Sequence, residues 1–433
     1  MTLRLTLLLG ALVCCSVVVC SRDLNYTRNK RFSELRFDRI QKHLEKINKP
    51  SVLVIESPDG DVIDCVRKGK QPAFDHPLLK IHKIKRVPSR WPKAQRKIRD
   101  GEELRQLWHS NGTKCPMGTI PIRRSFTHDI QRAKSLHHFG RKQTAGIKID
   151  KQRDTPPDII SGNGHEHAIA YVEGEAYGGK ATINVWNPTI DKINEFSLSQ
   201  MWVLSGSFDG PDLNSIEAGW QVNPELYGDS NARLFTYWTS DSYQATGCYN
   251  LLCSGFVQTN KNIAIGASIS PISSYSGKQY DITILIWKVS IPFIQSISNT
   301  YPNFLQLKDP KLGDWWLGFG ENTLIGYWPS ELFSHLADHA TMVEWGGEVV
   351  NSRSNGQHTK TQMGSGRFAE SGFGKASYFR NLEIVDADNS LVVARGMSTV
   401  AENTGCYDIS SSYNKEWGAH FFFGGPGSNP RCI

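Results

Sequence analysis

The sequence predicts a mainly β protein, an antiparallel β-sandwich domain preceded by a small α+β domain, and three observations predict it. After residue 163, apolar and polar residues alternate at period two in short runs separated by turn residues, the pattern of half-buried strands in an antiparallel sandwich or barrel. The 433 residues include 38 Gly, 12 Trp and 14 Tyr, which favours short strands and tight turns over helical bundles. The charge is also split: residues 22–153 carry 32 Lys and Arg against 14 Asp and Glu, a net +18, whereas residues 154–433 carry 16 against 28, a net −12. Two units of opposite charge on one chain are expected to dock on each other.

Leu5 to Val19 is an apolar run after a single Arg4, which reads as a secretory signal over residues 1–21. It is too short for a membrane span, and Lys288 interrupts the other apolar stretch, so no membrane contact is expected. Residues 22–158 form the basic domain and its connector, and residues 159–433 the sandwich. Phe32, Leu35, Phe37, Ile40, Leu44 and Ile47 recur at helical spacing within residues 31–49. A strand beginning at Ser51 then enters a turn at Pro58-Asp-Gly. From Lys80 to Asp154 the sequence is basic and interrupted by proline, as a connector is, and it ends at Pro156 and Pro157, where proteolytic processing is expected. In the sandwich, strands are expected around Ala181–Val185, Ile216–Val222 and Ile263–Ile269, and a helix after Pro329 that places Leu332, Phe333, Leu336 and Ala340 on one face.

Six cysteines remain after the signal, an even number suited to an oxidising compartment. Two lie in the basic part and four in the acidic part, so the simplest pairing is Cys65 with Cys115, Cys248 with Cys253, and Cys406 with Cys432. Asn25 and Asn111 open glycosylation sequons. No CxxC pair is present, and His335-Leu-Ala-Asp-His339 lacks the glutamate of a zinc hydrolase, so neither a metal nor another cofactor is expected. The basic half lacks the signatures of nucleic-acid modules, and no nucleic-acid partner is expected. The serine elbow, the aspartic-protease motif and the phosphate-binding loop are absent from the sequence.

Two carboxylates are unusual for ordinary strand residues. Glu217 shares its face with Ser215, Gly219 and Gln221, which leave room for a ligand. Glu348 follows Gly346-Gly347, a pair that suggests a bulge re-aiming the next side chain. Read without a bulge, Glu344 would lie on the same face and could be mistaken for the second carboxylate.

The strings Asn214-Ser-Ile-Glu-Ala-Gly-Trp-Gln-Val-Asn-Pro-Glu-Leu-Tyr-Gly-Asp229, Thr246-Gly-Cys-Tyr-Asn250, Trp345-Gly-Gly-Glu-Val349 and Phe423-Gly-Gly-Pro-Gly-Ser-Asn-Pro-Arg-Cys432 resemble the plant neprosin family. Gln71-Pro-Ala-Phe-Asp-His-Pro-Leu-Leu79 and Cys115-Pro-Met-Gly-Thr-Ile-Pro-Ile-Arg123 resemble that family's activation domain. The resemblance spans nearly the whole chain after the signal. It implies a zymogen, secreted to the apoplast or the vacuole, of a glutamic endopeptidase that cleaves proline-containing polypeptides after proline in acid, with the pro-domain as an intramolecular inhibitor. Carried over by motif, the catalytic residues are Glu217 and Glu348, and Gln200, Trp202, Trp220 and Tyr237 are expected to line the substrate cleft. Two adjacent carboxyls do not both ionise readily, so one keeps a proton against a reference pKa of about 4.3 while the other acts as base. Acid, by neutralising carboxylates that hold the basic domain, is the expected activation signal.

One departure concerns residues 289–308. The family runs from a strand ending in Ile-Trp-Lys directly into an Asp-Pro-Lys turn, and the interposed segment is either a translated intron or a true loop. The competing functional classes are a carbohydrate- or cell-wall-binding sandwich without catalysis and a glycoside hydrolase, which also uses paired carboxylates.

Overall fold

The computed structural model describes residues 34–93, 105–110, 112–142, 164–207, 210–288, 313–320, 322–354 and 356–432. The signal, Asn25, Asn111, Pro156, Pro157, the 158/159 boundary and the 289–308 insertion lie outside these residues.

Among the described residues two antiparallel sheets form the sandwich. The six-stranded sheet runs Ser398–Ala401, His165–Ala176, Ala340–Val350, Ser197–Ser205, Asn214–Val222 and Arg233–Thr239 in spatial order. The nine-stranded sheet runs Val257–Gln258, Thr323–Trp328, Trp315–Phe319, Asp281–Lys288, Gly178–Asn184, Ser377–Val385, Gly418–Gly424 and Asp408–Asn414, with Leu391–Val393 added beside Ser377–Val385. Alternation sorts the side chains. Val343, Trp345 and Val349 pack between the sheets with Ile183, Ile286, Phe421 and Phe423. Residues of the opposite parity, among them Leu198, Trp202, Phe235 and Tyr237, form a second apolar layer on the outer face of the six-stranded sheet.

That outer layer is covered by the N-terminal domain. Residues 34–47 are helical, as the spacing predicts, and Ile40, Leu44 and Ile47 are buried in the same cluster as Trp202 and Tyr237, together with Ile130 and Phe139. Each such burial contributes roughly 1.5–3 kcal/mol. Three antiparallel strands, Ser51–Glu56, Val62–Arg67 and Thr119–Arg123, make the domain's own sheet, stapled by Cys65–Cys115. The basic stretch after Lys80 is therefore more than a connector: it supplies the third strand and the short helix Thr127–Arg132, whose Asp129 accepts a hydrogen bond from the backbone N–H of Phe126.

The domain also caps exposed sheet edges, which otherwise offer unpaired backbone groups. Gln71 is buried and its amide clasps both backbone groups of Gln258, accepting from N at 2.7 Å and donating to O at 3.1 Å. Arg105–Gln106 pairs with Ile269–Ser270. Lys93 exchanges backbone bonds with Asn389 and Leu391. Cys248–Cys253 and Cys406–Cys432 complete the three pairings read from the sequence.

Three expectations are corrected. The stretch Ile263–Ile269 is a loop with only a two-residue strand at its end, because Gly266 turns at φ +90° and its residues meet the N-terminal domain on both parities: Ala264 and Ala267 pack with Trp108 and Ile63, and Ile265 bridges to Ile122. After Pro329 there is a single 3-10 turn, Ser330–Leu332. The Asn214 side chain accepts from the N–H groups of His335 and Leu336, and the Leu336 carbonyl accepts from Lys288 and Trp315, so side chains take the bonds that a helix would use. Finally, Gly346-Gly347 is not a bulge. The strand keeps register through it, the irregularity lying at Ala340/Met342. The two glycines permit close packing instead: a Cβ at Gly346 would lie 2.3 Å from the Ala168 carbonyl, and one at Gly347 2.5 Å from Phe423.

Candidate active site

Register assembles the site on the outer face of the six-stranded sheet. Ser197–Ser205 lies between the strands that carry the two glutamates, with Trp202 opposite Glu217 on one side and Glu344 on the other. The next same-face row is Gly219, Gln200, Gly346, and the row after it Gln221, Leu198, Glu348. Glu217, Glu344 and Glu348 therefore share a face, all buried.

The ion pairs separate the two candidates for the second carboxylate. Lys142 Nζ, delivered by the N-terminal domain, lies 2.7 Å from Glu217 Oε2 and 3.3 Å from Glu348 Oε2. Those two oxygens are thus at most 6.0 Å apart, the sum of the contacts. Residues 131 positions apart in the chain meet, which spacing in the sequence does not reveal. The remaining oxygens have different partners. Glu217 Oε1 accepts from the hydroxyls of Tyr243 at 2.8 Å and Ser215 at 3.0 Å. Glu348 Oε1 lies 2.5 Å from His165 Nδ1.

The electrostatics follow from these contacts. Burial alone would keep Glu348 protonated, but Lys142, then the hydrogen bond and charge of His165, overcome it and hold Glu348 well below the ordinary carboxylate range. Burial likewise works against the charge on Lys142, and Glu217 and then Glu348 outweigh it, raising the ammonium well above its usual value. Lys142 thus places one positive charge between the two carboxylates.

The segment that brings Lys142 is pinned. The Gly140 carbonyl accepts from Tyr249 N at 2.8 Å, and the Lys142 N–H donates to the Tyr237 hydroxyl at 3.3 Å. Gly140 has φ +73°, and a Cβ there would meet Leu252 at 2.8 Å, so only glycine fits this crossing. The ammonium also lies over the rings of Tyr243 and Tyr237. A cavity of about 190 Å³ remains beside it, bounded by Phe139 and Arg141 on the segment and by His165, Phe196, Tyr249 and Asn351 on the sandwich.

The expected cleft residues divide. Gln200 lies fully buried in the row between the two glutamates, flanked on both sides by glycine, and neither atom of its amide has a hydrogen-bond partner among the described residues. Trp202 lies in the Glu217 row, and Tyr237 faces Glu217 across the neighbouring strand. Trp220 is not in the cleft: alternation turns it to the other face, where it packs between the sheets and its indole N–H donates to the Asn184 carbonyl at 2.9 Å. Sequence reasoning missed Lys142, Tyr243 and His165. Lys142 sits in a basic run without pattern. His165 sits in His165-Glu-His167, where alternation places two imidazoles on one strand face but nothing local names Glu348 as the partner.

The histidines of His335-Leu-Ala-Asp-His339, and His167, have carboxylate partners. His335 pairs with Asp212, His339 with Asp338 and His167 with Glu402. One group among the described residues has ligand-like proximity, His358 with Cys406 and Cys432, and its sulfurs are joined in a disulfide. No helix among these residues is long and apolar enough to cross a membrane.

A family model described as Neprosin matches residues 193–426, and a second, described as Neprosin activation peptide, matches residues 54–171. Among solved structures, similarity is found to Scytalido-glutamic peptidase with a peptide-based transition state analog, at 12% identity over 60% of this chain and 97% of that one, with a TM-score of 0.30. Similarity is also found to SCP-B, a member of the Eqolisin family of peptidases, in complex with the tripeptide Ala-Ile-His, at 10% identity over 60% and 96% and a TM-score of 0.28.

Proposed function

The chain belongs to the Neprosin family, and we propose that it is a secreted glutamic endopeptidase that cleaves after proline in acid and is made as a zymogen. Family membership supports a peptidase with an activation peptide. The observation that carries the glutamic assignment is the pair of buried carboxylates within 6.0 Å, bridged by a lysine of the activation domain. A cation fitted between two buried acids is a plug, since it both fills the space a scissile bond needs and removes the need for a shared proton.

With Lys142 withdrawn, the two neighbouring carboxylates share one proton. The ionised one takes a proton from water as the hydroxyl adds to the scissile carbonyl carbon. The protonated one polarises the carbonyl oxygen and then gives its proton to the leaving nitrogen as the C–N bond breaks. Proton transfer from the first carboxyl to the second restores the pair. Gln200, placed between them with an unengaged amide, binds the peptide backbone. Trp202, Tyr237, Tyr243 and Tyr249 surround the pair with aromatic faces, Tyr237 and Tyr249 meeting edge-on at 4.8 Å, which suits a proline ring.

Residues 1–21 direct the chain to the apoplast or vacuole, Asn25 and Asn111 carry glycans, and residues 22–158 are the pro-domain, released near Pro156 and Pro157. Mass spectrometry of a proline-rich protein digested by acid-treated enzyme tests the specificity. Cuts should fall on the carboxyl side of proline. Cuts scattered over other residues would remove the proline assignment, and intact protein together with bound or shortened polysaccharide would favour the carbohydrate-directed alternatives.

A further inference from the structure

We infer that His165 is a positioning residue of this site, which holds Glu348 ionised and oriented after the activation segment has left, so that Glu348 is the base and Glu217 carries the proton. The inference rests on the two-carboxylate reading above and concerns a residue that reading does not need.

The argument starts from what remains when Lys142 is gone. Both glutamates present Oε2 to the lysine, so both lose that contact together. Their Oε1 atoms keep partners of different kinds. Glu217 keeps two neutral hydroxyls, Tyr243 and Ser215. Glu348 keeps an imidazole at 2.5 Å, a partner able to carry positive charge. A charge-assisted bond to a carboxylate is roughly twice as strong as a neutral one. In acid the single proton of the pair therefore resides on the glutamate bonded to hydroxyls, and the base is the one beside the imidazole.

The imidazole is built in rather than incidental. His165 pairs with Val350 across the strands, two positions from Glu348, so its side chain and the glutamate share a face. The ring is braced edge-on by Phe196, centroids 5.8 Å apart. His167, directly opposite Glu348, is turned to Glu402 instead. The other ionisable groups around the pair are Glu344 and His167 on the same sheet, the charge of His167 also favouring ionised Glu348, Tyr237, Tyr243, Tyr249 and Glu225 on the sandwich, and His138, Arg141 and Lys142 on the segment that departs. Among the described residues of the sandwich, His165 is the basic side chain that hydrogen-bonds Glu348. The proton from water then goes to Glu348 Oε2, the oxygen vacated by Lys142, while Oε1 stays bound to His165.

The test is the pH profile of kcat/KM for matured wild type, His165→Ala and His165→Asn, the last keeping a hydrogen-bond donor without the charge. Both variants should lose activity in acid, about 10- to 100-fold in kcat at pH 3, with KM changed less than about twofold. The acid limb should move up by about one pH unit or more, and activity should recover toward wild type as pH rises through it. If His165→Ala fails to accumulate as a folded zymogen, His165→Asn carries the test. An acid limb superimposed on wild type, or a loss equal at every pH, would overturn the inference by making His165 merely structural. Inactive wild type, or activity surviving in Glu348→Gln, would instead defeat the two-carboxylate reading itself.

Discussion

Lys142 sets the energetics of the site at the scale of single residues. Removing one member of a buried charge cluster costs about 3–5 kcal/mol when the partner charges remain, and Lys142→Met would leave Glu217 and Glu348 facing each other. The sign of the pH effect follows from Glu348. The part of its depression that Lys142 supplies stabilises docking of the segment above the pKa of the undocked glutamate, and that stability is lost progressively as pH falls from there to the depressed value. The lysine contact thus resists acid, and the acid signal acts on other carboxylates of the interface. In Lys142→Met this resistance disappears, and conversion of zymogen to mature enzyme, followed on gels from pH 3 to 6, should begin about one pH unit higher than in wild type. Conversion at the wild-type pH would show that Lys142 does not restrain the segment. A second residue effect is smaller: Tyr243→Phe removes one of two hydroxyls from Glu217 and should lower kcat about 10-fold with KM unchanged. Of these residues, Glu217 and Glu348 were legible through family motifs. Lys142 and His165 were not, because each matters through a partner 75 to 206 positions away, a distance that no local pattern encodes.

At the scale of elements, the strand Ser197–Ser205 is the spacer that sets the distance between the two glutamates, and its neighbours must approach it closely. A Cβ at Gly219 would lie 2.0 Å from the Ser199 carbonyl. Gly219→Ala should therefore destabilise the protein by about 3 kcal/mol or more, seen as a lowered Tm or failure to accumulate. Gly69→Ala, where a Cβ meets nothing within 4 Å, should leave Tm unchanged, and equal behaviour of the two variants would refute the packing argument. The strand Asn214–Val222 was legible because one face is uniformly apolar and the other small or polar. The same alternation misled at Ile263–Ile269, where the apolar residues answer to the N-terminal domain rather than to a sheet face. It misled again after Pro329, where helical spacing exists but Asn214, Lys288 and Trp315 take the backbone bonds. Tertiary side-chain bonds of this kind leave no periodic trace.

At the scale of the whole molecule, the charge split between the halves is realised in part by pairs of opposite polarity. Lys85 of the N-terminal domain meets Asp314 of the sandwich at 2.5 Å, in the direction the net charges suggest. Asp61 meets Arg233 at 2.6 Å in the reverse direction, fully buried on the arginine side. The Lys85 pair sets a half-exposed ammonium on a buried carboxylate and is screened by water on the lysine side, so it is worth less than the buried pair, whose breaking costs about 3–5 kcal/mol. Asp61→Asn should therefore release the N-terminal domain at distinctly higher pH than wild type, and Asp314→Asn at nearly the same pH, both read as the midpoint of zymogen conversion. Equal shifts would mean that net charge, not specific burial, holds the domains together. The central claim is that Glu217 and Glu348 act as one catalytic pair, and cleavage of a quenched proline-containing peptide from pH 3 to 7 tests it most directly. Matured wild type should cut in acid, while Glu217→Gln and Glu348→Gln, released from their pro-domain by an added protease and shown to be folded, should each lose about 100- to 10,000-fold in kcat. Retention of activity in either variant would contradict the account.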